Sequence, residues 1–290
     1  MPQNSIVILG PKGATFSYLA AIHATRTLNL PKFDWDSGFV EVADNEQIIP
    51  ALLENRAKFG IIAAETEVRG RINESLGSFS QLVEHYTNGE CPIRIMGALR
   101  TPISFALMAR KGARKADIRK VYGHPQALAA CAKTIAHAKW EPVECGSNGH
   151  AAQLMTRDTE GTCAALAPAD AARMYELEIL DEGLQDAPAT TTFFVLGPSE
   201  RKISEINRAL IVFRLKDGPM ALVSALTPFG QVGLNMTYVH SFHRSKRLYD
   251  FIAEIDCPME QIDDLRVALE MFGRVTLKSI VLGPFPVVNV

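Results

Sequence analysis

Residues 5–28 read SIVILGPKGATFSYLAAIHATRTL. The β-branched run Ser5–Leu9 predicts a buried strand that enters a turn at Gly10–Gly13. The residues after this turn predict a helix with Thr15 or Ser17 near its N-cap. Because a strand that passes through a tight turn into a helix is the first half of a βαβ unit, this stretch points to an α/β protein.

The same alternation continues to residue 198. Further strands are predicted at Gly60–Ala64, Arg94–Leu99, Ser104–Ala109, Lys120–Tyr122, Thr162–Ala167 and Thr191–Leu196. Helices are predicted at Asn45–Ala57, Pro125–His137 and Pro168–Tyr175. Strands that alternate with helices along the chain favour an α/β fold with largely parallel sheets.

The pattern changes after the polar stretch Pro198–Asn207, which is the best candidate for a linker. Strands are then predicted at Arg208–Leu215, Met236–Ser241, Leu248–Asp256 and Val275–Leu282, with helices at Pro219–Gly230 and Pro258–Phe272. This βαββαβ order is that of a ferredoxin-like α+β module. We therefore expect two domains, 1–198 and 207–290.

Composition restricts the function classes. The chain has 290 residues, 47% of them hydrophobic, and a net charge of −2, so nucleic acid is not an expected partner. No cationic segment precedes the first apolar run, and no apolar run approaches the roughly 20 residues that span a bilayer, so no membrane association is expected. Five scattered cysteines without a C-x-x-C pair favour free thiols in the cytoplasm and no structural metal site.

Several polar groups stand where predicted strands end and helices begin. Thr15 and Ser17 could donate to an anion at a helix N-terminus, although a turn that simply needs glycine explains the motif equally well. Gly123, His124 and Gln126 follow a strand, where ligands bind in open α/β sheets, yet a lone histidine is more often structural.

Three further polar segments have a structural and a functional interpretation. Glu65 and Thr66 follow a buried strand, and the carboxylate could transfer a proton or cap a helix. Ser147-Asn148-Gly149 forms a polar break before a helix. Thr190-Thr191-Thr192-Phe193 enters the last strand of the first region, where threonines also reflect strand propensity.

Taken in order, these segments resemble the prephenate dehydratase family over the whole chain. The matching segments are Gly10-Pro11-x-Gly13-x-Thr15-Phe16-Ser17, Ala64-Glu65 through Gly70, Asn73-Glu74-Ser75-Leu76, His124-Pro125-Gln126-Ala127-Leu128 with Cys131, Ala164–Ala167, Ala171-Ala172, Tyr175-x-Leu177 and Asp186. The resemblance implies a two-lobed catalytic domain like periplasmic binding proteins, with its active site between the lobes. It also implies an ACT domain over Arg208–Leu282, which commonly pairs chains, so a homodimer or homotetramer is expected. The implied substrate is prephenate, and no metal or organic cofactor is implied.

The departures from the family are concentrated in the expected site. The family pattern Asn-x-Thr-Arg-Phe reads Ala189-Thr190-Thr191-Thr192-Phe193, so an arginine thought to hold a substrate carboxylate is a threonine. Glu-Asn-Ser reads Glu65-Thr66-Glu67, and Ser-His-Pro reads Gly123-His124-Pro125. This pattern resembles the non-aromatising prephenate decarboxylases, relatives that act in specialised amino-acid and antibiotic biosynthesis.

The sequence thus predicts a prephenate decarboxylase, with a prephenate dehydratase or a non-catalytic sensor of an aromatic metabolite as alternatives. The expected catalytic residues are Thr191, Glu65 and His124. The expected substrate-binding residues are Thr15, Ser17, Thr66, Gly123, Gln126, Ser147, Asn148, Gly149, Thr190, Thr192 and Phe193. In the ACT-like module, Met220 stands where the family has glycine, and His240-Ser241-Phe242-His243 replaces Glu-Ser-Arg-Pro, so no phenylalanine feedback is expected.

Overall fold

The computed structural model describes residues 4–67, 70–87, 90–198, 206–245 and 248–290. The chain divides into two compact units. The N-terminal unit comprises Met1–Ile72, Leu99–Phe193 and Val290, and the C-terminal unit comprises Asn73–Ala98 and Phe194–Asn289. Most of the expected linker, residues 199–205, lies outside the described residues.

Sixteen strands and ten helices are found in the described part of the chain. Up to residue 109 they are β1 (Ile6–Leu9), α1 (Phe16–Thr27), β2 (Phe39–Val42), α2 (Ile48–Leu53), β3 (Phe59–Thr66), β4 (Gly70–Arg71), α3 (Asn73–Gly77), α4 (Ser80–His85), β5 (Ile93–Ile103) and β6 (Ala106–Ala109). Up to residue 198 they are β7 (Lys120–Gly123), α5 (Pro125–Ala130), α6 (Ala132–Ala138), β8 (Glu141–Glu144), α7 (Asn148–Met155), β9 (Cys163–Ala167), α8 (Ala169–Met174), β10 (Glu178–Asp181) and β11 (Ala189–Pro198). The remainder are β12 (Arg208–Lys216), α9 (Ala221–Gln231), β13 (Met236–Ser245), β14 (Leu248–Asp256), α10 (Ile262–Gly273), β15 (Lys278–Val281) and β16 (Val287–Asn289).

The first sheet has the strand order β16-β5-β11-β3-β1-β2, with β4 paired to β3. Strand β1 is parallel to both β2 and β3, so the carboxyl ends of β1 and β3 lie at the same edge. The apolar β-branched run of β1 is buried from Ile6 to Ile8, as a strand covered on both faces requires.

The second sheet has the order β10-β6-β9-β7-β8. Strand β7 is parallel to β8 and β9, whereas β6 is antiparallel to β9 and β10. The sheet is therefore mixed, and the expectation of largely parallel sheets holds only for its β8-β7-β9 half. The chain passes between the two sheets twice, from β5 to β6 and from β10 to β11, which makes the mixed α/β region two-lobed, as expected.

Two predicted helices differ from the observed ones. The helix expected at Asn45–Ala57 is a 3₁₀ turn followed by α2, which ends where Asn55 takes a left-handed φ of 56°. The helix expected at Pro125–His137 is divided into α5 and α6. The Asp186 carboxylate accepts hydrogen bonds from the backbone amides of Lys133 and Thr134, and so caps a second helix inside the predicted one.

The βαββαβ order predicted after residue 207 is confirmed. Its antiparallel sheet has the order β13-β14-β12-β15 and packs one face on α9 and α10 around Phe213, Phe229 and Phe272. Asp250, on β14, projects on the face opposite the core and is fully buried. The segment 73–98 contributes to the same unit, since Arg214 on β12 binds Glu84 of α4.

No helix in the described part of the chain combines the length and the apolar character that a membrane span requires.

Candidate active site

The turn after β1 is held by its own neighbours. The Thr15 hydroxyl donates to the Leu9 carbonyl (2.9 Å) and accepts from the Tyr18 amide (3.3 Å), so Thr15 is the N-cap of α1. The Lys12 amide donates to the Glu41 carboxylate (3.2 Å). The Thr15 hydroxyl proton and the Lys12 amide therefore both donate hydrogen bonds within the protein. Ser17 is buried in the first turn of α1.

Two segments of the second sheet meet at His124. The His124 amide donates to the Asn148 side-chain oxygen (2.9 Å), and His124 Nδ1 accepts from the Gln126 amide (3.3 Å). His124 is thus the N-cap of α5, and a neutral ring in this arrangement carries its proton on Nε2. Ser147 caps α7 by accepting from the His150 amide (3.1 Å).

Gly149 joins this cluster to the turn after β1. A Cβ atom at Gly149 would lie 2.7 Å from Pro11 Cδ and 3.0 Å from the Ala14 carbonyl oxygen, so the two segments approach too closely for a side chain. Ala14 itself is buried in the core of the second sheet, among Ala106, Ala151 and Ala165. The turn at the end of β1 therefore contacts the N-terminal end of α7, the helix that follows β8.

Glu65, Thr66 and the threonine strand form a second group. The Glu67 amide at the end of β3 donates to the Thr190 carbonyl at the start of β11 (2.9 Å). Thr190, Thr191 and Thr192 are partly exposed, and Phe193 is buried. Because β1 and β3 are parallel neighbours, this group lies at the same sheet edge as the turn after β1, where α/β proteins bind ligands.

Arg71 is a functional candidate that the sequence patterns above do not single out. In the β3–β4 pair it lies directly opposite Glu65, and its Nη1 is 3.6 Å from Glu65 Oε2. The signal for it is Gly70, whose φ of +74° allows the chain to reverse and return along β3. The register of the β3–β4 pair, which depends on that reversal, places Arg71 beside Glu65.

Two of the family-matching residues have structural roles. Burial raises the pKa of the Cys131 thiol to about 12, so Cys131 is a neutral packing residue between α5 and α6. The loss of some surrounding water raises the pKa of the exposed Asp186 carboxyl, but the hydrogen bonds from Lys133 and Thr134 outweigh this effect and hold the pKa below its ordinary value. Asp186 is therefore an ionised helix cap near neutral pH.

The chemistry available at this edge is that of carboxylate, hydroxyl, imidazole and guanidinium groups. Among the residues that the structure describes, no group of three or more His, Cys, Asp or Glu side chains is placed where it could hold a metal ion. The arrangement can position a polar small molecule and move a proton at Glu65 or His124.

Comparison with known proteins shows the family of this chain. The prephenate dehydratase family model matches residues 6–201. The bifunctional chorismate mutase/prephenate dehydratase of Stutzerimonas stutzeri is 28% identical over 285 residues, which cover 97% of this chain and 73% of that protein.

Solved structures share the fold. Prephenate dehydratase from Arthrobacter aurescens, in complex with L-Phe, has a TM-score of 0.80 at 22% identity, covering 97% of this chain and 89% of that one. GqqA, described as a novel type of quorum quenching acylase, has a TM-score of 0.77 at 23% identity, covering 98% of both chains. Because one fold is found with different activities, these structures establish the architecture alone. The family model spans more than half of the sequence, and the chain belongs to the prephenate dehydratase family.

Proposed function

We propose that this lyase decarboxylates prephenate and keeps the C4 hydroxyl on the ring. The observation that carries the proposal is the composition of β11 at the site edge, where Ala189 and Thr192 replace the Asn and Arg of the family pattern. Thr191 keeps the family hydroxyl between them.

The two candidate reactions share their first bond cleavage. The bond from the ring to its carboxylate breaks, CO₂ leaves, and the bonding electrons enter the ring. In a dehydratase these electrons expel the C4 hydroxyl, which departs as water after taking a proton, and the ring becomes aromatic. In a decarboxylase a ring carbon takes the proton, and the hydroxyl stays.

The partition between these outcomes depends on how well the hydroxyl is helped to leave. Each 1.4 kcal/mol in a barrier changes a rate about tenfold, so removing one good hydrogen bond to the leaving group is enough to redirect the product. We propose that Thr190 and Thr192 line the part of the site whose side chains differ from the family pattern. Thr191 is assigned a hydrogen-bonding role, since a hydroxyl is too weak an acid to protonate carbon. Glu65 and His124 are the titratable groups proposed to supply or relay the proton.

The remaining assignments follow from where each residue lies. Gly123, Gln126, Ser147, Asn148 and Gly149 are proposed to bind substrate from the ends of β7 and β8. Ser17 and Thr66 are proposed to do so from the first sheet, and Thr15 only as an acceptor, because its hydroxyl proton bonds Leu9. Phe193, which is buried, is proposed to hold the three threonines of β11 in place.

A prephenate dehydratase is the second candidate. It is favoured by the retained Thr191 and by the names of the relatives, all of which are dehydratases at 26–29% identity among the first eight. We also propose that residues 207–290 form an ACT-like domain that pairs chains and does not bind phenylalanine, and that the enzyme is cytoplasmic.

The product of prephenate identifies the reaction. The purified protein is incubated with prephenate at mildly alkaline pH, where spontaneous aromatisation is slow, and the product is analysed by NMR. A product with a carbinol C4 and a new sp³ ring carbon supports the decarboxylase. Phenylpyruvate overturns it in favour of the dehydratase, and unconsumed prephenate overturns both enzymes in favour of a sensor.

A further inference from the structure

The side chain of Asn148 is anchored by the backbone of another segment. Asn148 is the first residue of α7, and its Oδ1 accepts a hydrogen bond from the amide of His124 (2.9 Å), which lies 24 residues earlier in the chain. A backbone N–H group can only donate, so the oxygen end of the carboxamide must face His124. This contact therefore fixes which end of the Asn148 side chain remains for other partners.

The remaining end of the carboxamide is a hydrogen-bond donor. Nδ2 carries two N–H groups and accepts no hydrogen bond. Within the described ranges of the chain, the bond from the His124 amide is the one hydrogen bond that the Asn148 side chain makes. Because Asn148 is neither fully buried nor fully exposed, its Nδ2 can exchange water for a ligand. The side chain is thus prepared to bind an acceptor oxygen.

The residues on both sides of Asn148 hold this donor in place. The Ser147 hydroxyl is buried and accepts from the His150 amide (3.1 Å), so the start of α7 is capped. Gly149 packs so closely against Pro11 that an added Cβ would lie 2.7 Å from Pro11 Cδ. The backbone of Asn148 is fixed by these contacts within the protein, and a preorganised donor loses little conformational freedom when it binds a ligand.

The proposed substrate carries groups that such a donor fits. Prephenate has two carboxylates, and an ionised carboxylate only accepts hydrogen bonds. Thr192 stands in β11 where the family pattern has an arginine, so the recognition of a carboxylate requires donors from elsewhere in the site. A hydrogen bond to an ionised group is about twice as strong as one between neutral groups, which makes an amide donor an effective partner.

We propose that Asn148 determines specificity at this site by donating a hydrogen bond from Nδ2 to a carboxylate oxygen of the substrate. The inference rests on the proposed function, since it takes prephenate as the ligand. The His124 amide orients the carboxamide through its oxygen, and the substrate carboxylate binds at its nitrogen. Asn148 thereby contributes a neutral donor from the start of α7.

The test compares variants of Asn148 in the full chain by kcat and KM for the consumption of prephenate. Asn148→Asp keeps an oxygen for the His124 amide and replaces the N–H donors by an anionic oxygen. This variant is expected to lower kcat/KM about 100-fold or more, with a larger effect on KM than on kcat, because the binding of a dianion is lost. Asn148→Ala loses both contacts without adding a charge, and a fall of about 10-fold is expected.

Gln153→Glu is the matched control. Gln153 is exposed on the same helix, so this variant adds the same charge to α7 away from its first residue. Its kcat/KM is expected to equal that of the wild type. The Asn148→Asp measurement is repeated at about 1 M salt, where the screening length is about 3 Å. The loss from a broken contact persists at this salt concentration, whereas a loss that disappears reflects repulsion at a distance and overturns the proposal.

Two further results also overturn the proposal. If Asn148 acted solely by holding His124, Asn148→Asp would behave as the wild type and Asn148→Ala alone would be impaired. Wild-type kinetics in both variants would remove Asn148 from the site. Circular dichroism verifies that each variant is folded, and if Asn148→Ala is not, the comparison of Asn148→Asp with Gln153→Glu decides by itself.

The identity of the product judges the proposed reaction separately. A wild-type protein that forms phenylpyruvate, together with the loss in Asn148→Asp, contradicts the decarboxylase and supports the role of Asn148. If the wild type does not consume prephenate, dissociation constants from calorimetry replace the kinetic constants, and the same order of variants is expected. A wild-type protein that does not bind prephenate overturns both the inference and the proposed function.

Discussion

Two arginine–carboxylate arrangements in this chain contain the same charged groups but differ in the distance between them. In the C-terminal unit, the fully buried Asp250 accepts from Arg214 (2.7 Å and 3.1 Å) and from Arg244 (2.8 Å). At the site edge, Arg71 and Glu65 are 3.6 Å apart. The first arrangement satisfies both carboxylate oxygens internally and serves the fold. The second places a largely buried arginine beside a partly exposed carboxylate at a longer distance.

Asp250→Ala is expected to cause the largest loss of stability. Removing the carboxylate leaves the guanidinium groups of Arg214 and Arg244 without their shared partner, at a cost of about 3–5 kcal/mol in the free energy of unfolding. Urea unfolding followed by far-UV circular dichroism measures it. Both tryptophans, Trp35 and Trp140, lie in the N-terminal unit, so their fluorescence reports separately on that unit.

The control for this prediction is Asp263→Ala, which removes an exposed carboxylate paired with Arg266 and is expected to cost less than about 1 kcal/mol. A loss of that small size for Asp250→Ala would show that the buried pairs contribute no more than surface ones.

Gly149→Ala is expected to cost about 1–3 kcal/mol, the usual penalty for overpacking. The added Cβ would lie 2.7 Å from Pro11 Cδ, at the contact between the two lobes of the N-terminal unit. Tryptophan fluorescence during urea unfolding measures it. Gly146→Ala, where no atom lies within 4 Å of the added Cβ, is expected to change stability by less than about 0.5 kcal/mol. Equal effects of the two variants would contradict the close approach.

Asp186→Ala is expected to cost about 1 kcal/mol near neutral pH, since it removes the carboxylate that caps α6. The pKa of Asp186 is lower in the folded chain, so its contribution is present above the ordinary aspartate value of about 3.9 and is lost as pH falls through the lowered folded value. The difference between wild type and variant, measured by urea unfolding, should therefore shrink below about pH 4. A difference that stays constant from pH 7 to pH 3 would contradict this role.

Glu65→Gln is expected to change stability least, by less than about 1 kcal/mol, because its contact with Arg71 is long and partly exposed. Turnover of prephenate is expected to fall by roughly 10²- to 10⁴-fold, the usual contribution of a proton-transferring group. Glu54→Gln, the matched change in the exposed Arg56 pair, should alter neither quantity. A stability loss as large as that of Asp250→Ala would make Glu65 a structural residue.

The parts of the fold that were predictable depend on local pattern. Strand β1, the Thr15 cap of α1 and the βαββαβ order after residue 207 follow from hydrophobic period, capping chemistry and turn residues. The division of the helix near Cys131 was not predictable. It depends on Asp186, whose carboxylate reaches the amides of residues more than 50 positions earlier.

The candidate site, too, could be predicted from the sequence only in part. Its polar segments could be found because each stands at the end of a strand, and the loss of arginine at Thr192 is visible in the sequence. The contacts between these segments could not be predicted, since Gly149 and Pro11 approach closely although more than 130 residues separate them in the sequence. Arg71 was hidden because its place beside Glu65 depends on the register of β3 and β4.

The sequence by itself determined the alternation of strands and helices, the family and the departures in the threonine strand, because these are properties of neighbouring residues and of spacing. Only the tertiary structure decided which segments meet and which charges are buried. Asp250 and Glu65 are both acidic residues in strands, yet one is enclosed by two guanidinium groups and the other faces one at a distance. That difference arises from burial and register, since the surrounding atoms, and not the residue type, set the cost of a charge.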